Sequence, residues 1–346
     1  MNLRQGVEGK RILFFSIQTF RLEQEITNKL TENGAIVTYF DERPSNSNFT
    51  KGIIRLKRKI YQQRIDEYYS KILKQIEHES FDYLFVNRGE VITATFLEQF
   101  KKINPQCELI YFTWDSFSNH GHPTTILKYF DKRFTFDRED AVKFNIGFRP
   151  LFFLDKFQNI SKTDSVEYVY DLLFIGTAHS DRYVISNKLV SWCKMNNLTF
   201  FTYYFIHSRA VFFFKKIFDQ SFKQFEYKKM SFNSLSSEQI IDLYKKSKVV
   251  LDINHPGQKG LTMRTFEAIG ARKKVITTNA EIKRYPFYSP QNFFIIDRDN
   301  IKIDLDFFVS DYYPIPEALY KKCSMEGWLS DLFLKPESED WKTLVG

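Results

Sequence analysis

The run Asn254-His255-Pro256-Gly257-Gln258-Lys259-Gly260-Leu261-Thr262-Met263-Arg264-Thr265-Phe266-Glu267-Ala268-Ile269-Gly270 reads as a strand end, a glycine-containing loop and the start of a helix. A helix start presents unpaired N–H groups and the positive end of the backbone dipole, so this junction suits an anion such as a diphosphate. Gly257 and Gly260 let the backbone approach closely. Arg264 offers a forked cation to phosphate oxygens, and Lys259 and Thr262 share the loop. Glu267, about one turn beyond Arg264, can accept hydrogen bonds from two ribose hydroxyls. The competing view is a plain strand–loop–helix connection, with Arg264 and Glu267 as surface charges three apart. A second junction, Phe174-Ile175-Gly176-Thr177-Ala178-His179-Ser180-Asp181-Arg182, offers Gly176 for a tight turn and Arg182 for the same diphosphate.

The N-terminal half carries a different set. Asp41, Glu90, Asp115 and Asp137 each follow an apolar, strand-like run, with Arg88 beside Glu90. In an open parallel sheet all four reach the edge where ligands bind. Carboxylates there hydrogen-bond sugar hydroxyls, and one can take the proton of an attacking oxygen. Asp115 is the expected base, with Glu90 second; Asp41, Arg88 and Asp137 are expected on the acceptor. Ordinary helix caps and loop acids are the competing explanation.

Other patterns carry less. Asp297-Arg298-Asp299 has the form of a metal-binding Asp-x-Asp, but two residues recur by chance. His120-x-His122 lacks a third ligand nearby, so no metal site is expected. His255 reads as a structural histidine. Residues 200–232 interleave aromatics with Arg and Lys, which fits either a core helix with a basic outer face or a helix lying on an anionic membrane. In the second case Lys215, Lys216, Lys228 and Lys229 are expected to carry the binding.

The elements that must hold these residues alternate. Strand-like runs at 11–17, 36–40, 83–86, 109–113 and 133–136 are separated by helical or polar sequence, and Asn33-Gly34 closes the first helix. After a polar stretch at 152–166, read as a linker, strands at 170–175, 198–206, 249–253, 274–277 and 293–296 alternate with helices at 182–196 and 261–271. Another helix opens at the capping box Ser236-Ser237-Glu238-Gln239. A terminal helix follows Pro316. Alternation of this kind implies parallel, doubly wound sheets.

A chain of 346 residues, 43% hydrophobic and 27% charged, can bury two cores. The net charge of +8 favours anionic partners, but no RNA-binding or zinc-finger spacing is present, so nucleic acid ranks last. Three scattered cysteines, Cys107, Cys193 and Cys323, form no disulfide framework and suit a reducing compartment. No apolar run reaches the roughly 20 residues that span a bilayer. A cytoplasmic location is expected, with peripheral contact on the inner face of the membrane as the one extension.

Gly260–Gly270, Phe40–Pro44 with Arg88–Glu90, and Trp114–Ser116 resemble the motifs of GT-B glycosyltransferases of bacterial lipopolysaccharide and capsule biosynthesis, and more distantly CgeB-like proteins. That resemblance implies an α/β chain of two Rossmann-like domains facing across a cleft, with the C-terminal helix packing back toward the first domain. It places the acceptor domain at 1–155, the nucleotide-sugar domain at 166–315 and a helical tail at 316–346. It also implies a glycan or lipid-linked glycan as acceptor; a UDP-sugar is the default co-substrate, and no cofactor or metal is expected because Arg264, Arg182 and the helix start already stabilise the leaving group. Glu267 matches the second Glu of the Glu-x7-Glu motif of retaining members, but the first falls at Lys259, which leaves inversion or retention open. A nucleotide-sugar 2-epimerase on the same scaffold and a non-catalytic nucleotide-binding module are the alternatives.

Overall fold

The computed structural model describes residues 2–162, 167–334, 341 and 344, with backbone alone at 48–59 and 161–162. The chain divides into two compact units, Met1–Pro150 with Met325–Gly346, and Leu151–Ser324. Each is a six-stranded parallel sheet with helices. The first holds β1 (Arg11–Ser16), β2 (Ile36–Asp41), β3 (Tyr83–Asn87), β4 (Glu108–Thr113), β5 (Lys132–Thr135) and β6 (Gly147–Phe148), in the order β2-β1-β3-β4-β5-β6. The second holds β7 (Tyr170–Thr177), β8 (Phe200–Phe205), β9 (Met230–Ser231), β10 (Ser247–Asp252), β11 (Lys274–Thr277) and β12 (Phe293–Ile295), in the order β12-β11-β10-β7-β8-β9.

The connecting helices of the first unit are α1 (Leu3–Val7), α2 (Leu22–Glu32), α3 (Asn48–Gln75), α4 (Ala94–Ile103) and α5 (Arg138–Phe144). The second unit has α6 (Asp155–Gln158), α7 (Arg182–Met195), α8 (Arg209–Phe218), α9 (Ser237–Lys245), α10 (Met263–Gly270), α11 (Asp306–Val309) and α12 (Glu317–Lys322). The terminal helix α13 (Met325–Phe333) returns to the first unit, where Trp328 meets Phe85 and Phe112, and Phe333 meets Tyr83 and Phe85. The tail therefore finishes the core of the first sheet. The apolar pattern around Trp328 required a buried partner, and strands β3 and β4 supply it.

Local signals shaped several boundaries. Asn33 ends α2 and Gly34 follows at φ +89, the left-handed geometry that stops a helix at glycine. Ser236 and Gln239 form both hydrogen bonds of the capping box on α9. One expectation needs correcting. The stretch from 152 is no polar linker, because Phe152, Phe153, Leu154, Phe157 and Ile160 are all buried around α6. Their spacing was masked by the polar residues between them; residues 163–166 lie outside the described residues. Among the described residues no helix is long and apolar enough to cross a membrane.

Candidate functional site

In the second unit the chain visits the strands so that its path reverses between β7 and β10, the switch point where ligands settle at the carboxyl ends of strands. Both sequence-selected junctions end there. Arg182, the first residue of α7, donates from Nε to the carbonyl of Ile253 at 2.8 Å, tying the end of β10 to the turn after β7. Arg264, in the first turn of α10, lies 3.5 Å from Asp252 Oδ1, with its guanidinium 5.9 Å from the Phe174 ring centre. Arg298 joins them. Its guanidinium reaches Asp181 Oδ2 at 2.6 Å and the Asn254 carbonyl and side-chain oxygens at 2.8 and 2.7 Å.

Three arginines thus share this corner with two carboxylates, Asp181 and Asp252. Burial, and then Arg264, lower the Arg182 pKa to about 10. Burial together with Arg182, His255, Lys215 and Arg264 pushes the His179 pKa down to about 3, so His179 is a neutral imidazole. The His179 and His255 rings lie 5.9 Å apart. Burial is the larger cause of both shifts; the cationic neighbours add to it, and an anion placed among them would offset that part.

The start of α10 is open. Thr262 sits at its N-cap but makes no side-chain cap, because its hydroxyl donates to Asp252 Oδ2 at 2.7 Å. Thr265 donates to the same oxygen at 2.6 Å. Amide side chains shape the preceding loop: Asn254 donates to the Gln258 carbonyl, and Asn279 to those of Lys259 and Gly260. Glu267 lies farther along α10, enclosed by protein yet partly open at its surface, and accepts from the Tyr244 hydroxyl at 3.1 Å. Burial raises its pKa, and Arg264 opposes that rise.

Glycine placement differs from expectation. Gly176 belongs to β7 rather than to a turn, and a Cβ there would sit 2.9 Å from the Phe174 ring. Its role is to leave room for the aromatic beneath Arg264. Neither Gly257 nor Gly260 has positive φ, so neither is required by backbone geometry.

The first unit gathers a second cluster at the ends of β2, β3 and β4. The Glu42 carboxylate accepts from the amides of Gly89 at 2.7 Å and Glu90 at 2.8 Å, and it is fully buried. Burial pushes its pKa up to about 8. The clamped turn is strained at Arg88, whose φ is +97, while Gly89 at φ +70 takes a conformation open to glycine. A Cβ on Gly89 would meet the Tyr111 ring at 2.8 Å, so only glycine fits. Arg88 Nε lies 2.9 Å from Asp115 Oδ2, and its terminal nitrogen is 2.6 Å from His120 Nε2. Glu90 is buried between Arg43, whose Nε donates to it at 2.6 Å, and Arg88 at 3.9 Å. The Asp115 side chain is 29% exposed against 3% for Glu90, so Asp115 is the carboxylate a substrate can reach.

The structure brings Arg88, Glu90 and Asp115 together, and gives the other two acids local duties. Asp41 accepts from the Arg43 amide and from Asn46 Nδ2, both at 2.7 Å, which folds the loop after β2. Asp137 is buried and caps α5 through the amides of Glu139 and Asp140. For these two the helix-cap and loop explanation describes what the side chains do. His122 Nε2 is 2.8 Å from the Ile92 carbonyl, and Asp297 accepts from the amides of Asp299 and Asn300. Sequence reasoning does not reach Glu42 beside Asp41, Arg298 within Asp297-Arg298-Asp299, or His179 within the 174–182 junction, among others. Strand-end position was the signal common to all three.

No family model matches the chain, and no curated protein matches it in sequence. Solved structures do match, over nearly the full length of each. An α-glucosyltransferase in complex with UDP and a 13-mer DNA has TM-score 0.53 at 15% identity, covering 97% of this chain and 100% of that one. Anabaena HepE in complex with UDP and glucose has TM-score 0.51 at 10% identity, covering 97% of each. The catalytic domain of starch synthase IV from Arabidopsis thaliana, bound to ADP and acarbose, has TM-score 0.51 at 8% identity, covering 98% of this chain and 97% of that one. At these identities the likeness shows the fold, and that fold is the GT-B type built from two Rossmann-like domains.

Proposed function

We propose that the chain is a glycosyltransferase that takes its sugar from a nucleoside diphosphate donor, UDP-sugar in the first instance. The observation that carries this is the corner of Arg182, Arg264 and Arg298 at the switch point of the second sheet, beside the uncapped start of α10. Arginine forks and helix amides hold a diphosphate, and the same charges stabilise it as it leaves. Lys259 lies in the adjoining loop, and Glu267 is assigned to the ribose hydroxyls. Donor chemistry in the solved structures of the same fold supports the reading: their ligands are UDP, UDP with glucose, and ADP with acarbose.

The acceptor is a glycan or lipid-linked glycan of a cell-surface polysaccharide, as the motif resemblance implies. Its hydroxyl oxygen bonds to the anomeric carbon while the bond from that carbon to the diphosphate breaks. The leaving diphosphate keeps the electron pair, and its negative charge meets the guanidinium groups. On the inverting course Asp115 takes the hydroxyl proton, with Arg88 and Glu90 fixing its surroundings. The cation corner does the electrostatic work that a metal does in other transferases.

A thermal-shift screen of nucleoside diphosphates and their sugars tests the donor site. The expected result is stabilisation by one diphosphate, lost in Arg264→Ala. Asp115→Asn should retain that shift and lose turnover. If no diphosphate stabilises the protein, the reading fails; if donor incubated alone is converted to an isomeric sugar nucleotide, an epimerase replaces the transferase.

A further inference from the structure

Helix α8 faces its apolar side outward. Phe213, Phe214, Ile217 and Phe218 are 55%, 63%, 70% and 72% exposed, while Phe212 alone of the helix is buried. At 100° per residue the four exposed side chains fall on one arc, with Ala210 among them. Lys215 and Lys216, by contrast, are turned to the protein. Lys216 Nζ donates to the carbonyls of Lys223 and Phe225, and Lys215 Nζ lies 5.2 Å from the Phe222 ring centre. A water-facing helix has the opposite arrangement. The neighbouring Tyr227 stacks on Phe213 and extends the apolar surface.

The rim is basic. Six basic residues lie within 209–232, against Asp219 and Glu226 as the acids. Asp219 is engaged with the Ser221 amide and hydroxyl, and Glu226 with Lys229 and the Tyr183 hydroxyl. Arg209, Lys223 and Lys228 are exposed, and the Arg209 guanidinium lies 5.8 Å from the Phe232 ring centre.

We infer that α8 docks on an anionic phospholipid surface, sinking Phe213, Phe214, Ile217 and Phe218 among the acyl chains while Arg209, Lys223 and Lys228 meet the headgroups. A helix of this kind lies in the plane of the interface, buried to roughly 5–10 Å. Charge decides against a second copy of the chain: a symmetric pair would set one basic rim against another. The docking is independent of the transferase reading, although it would suit a lipid-linked acceptor. It also replaces the expectation that Lys215 and Lys216 make the contact, because those side chains hold the helix to its own domain.

The test is co-sedimentation with phosphatidylcholine vesicles, with and without phosphatidylglycerol. The wild-type protein should bind the anionic vesicles and lose binding at high salt. Phe214→Ser/Ile217→Ser/Phe218→Ser should weaken binding about tenfold or more, with the UDP thermal shift unchanged. Lys223→Glu/Lys228→Glu should weaken it on anionic vesicles. Because the three native cysteines are buried, Phe214→Cys can carry a polarity-sensitive dye, which should shift to the blue on the vesicles. No sedimentation, no dye shift, or a concentration-dependent dimer abolished by the serine variant would each overturn the proposal. A lost UDP shift with vesicle binding intact would instead strike the donor assignment.

Discussion

Replacing Glu267 with Gln isolates the charge that is assigned to the ribose. The substitution keeps the side-chain shape and leaves an oxygen to accept from Tyr244, now 3.1 Å away. What changes is the charge on the acceptor. A hydrogen bond to a charged group contributes roughly 1.5–3 kcal/mol and a neutral one roughly 0.5–1.5 kcal/mol, so each ribose hydroxyl should lose about 1 kcal/mol. Two hydroxyls give about 2 kcal/mol, close to a thirtyfold weaker Kd. Calorimetric titration with UDP and with its 2′,3′-dideoxy analogue separates this from general damage to the site. The wild-type protein should discriminate strongly between the two ligands, and the Gln variant should discriminate about thirtyfold less. Equal losses for both ligands, or no loss for UDP, would show that Glu267 does not touch the ribose. Arg264 provides the internal control: it lies on the same helix, and Arg264→Ala should weaken both ligands alike.

Two further outcomes concern the first unit. Gly89→Ala places a Cβ 2.8 Å from the Tyr111 ring at φ +70, and should cost roughly 1–3 kcal/mol of stability in urea unfolding; an unchanged midpoint would mean the turn relaxes freely. Glu42 has a folded-state pKa raised from 4.5 to about 8 by burial. The folded protein therefore holds this proton more tightly than the unfolded chain. Its contribution to stability is fully present below about pH 4.5 and is lost as pH rises through about 8. Melting temperature should fall across that window more steeply in the wild-type protein than in Glu42→Gln, and parallel profiles would show that Glu42 does not titrate there.

Sequence alone determined what depends on neighbours a few residues apart. The helix stop at Gly34, the capping box at Ser236, strand β11 and the junction carrying Arg264 and Glu267 are set by backbone propensity and short-range hydrogen bonds. Strand–helix alternation then implied parallel sheets, because a parallel pair needs a crossover. Only tertiary structure decided which side chains meet across long stretches of chain. Glu42 reaches the Gly89 amide 47 residues away, and Arg298 reaches Asp181 117 residues away. Neither partnership leaves a periodic trace. The same holds for faces: the pattern of α8 reveals an apolar side and a basic side, but which one points to water depends on the loop carbonyls and the Phe222 ring that capture Lys216 and Lys215. Segment 152–160 makes the converse point, since its aromatics are buried by partners that local polarity concealed. Periodicity divides a helix into two sides; the contacts available in the folded domain choose between them.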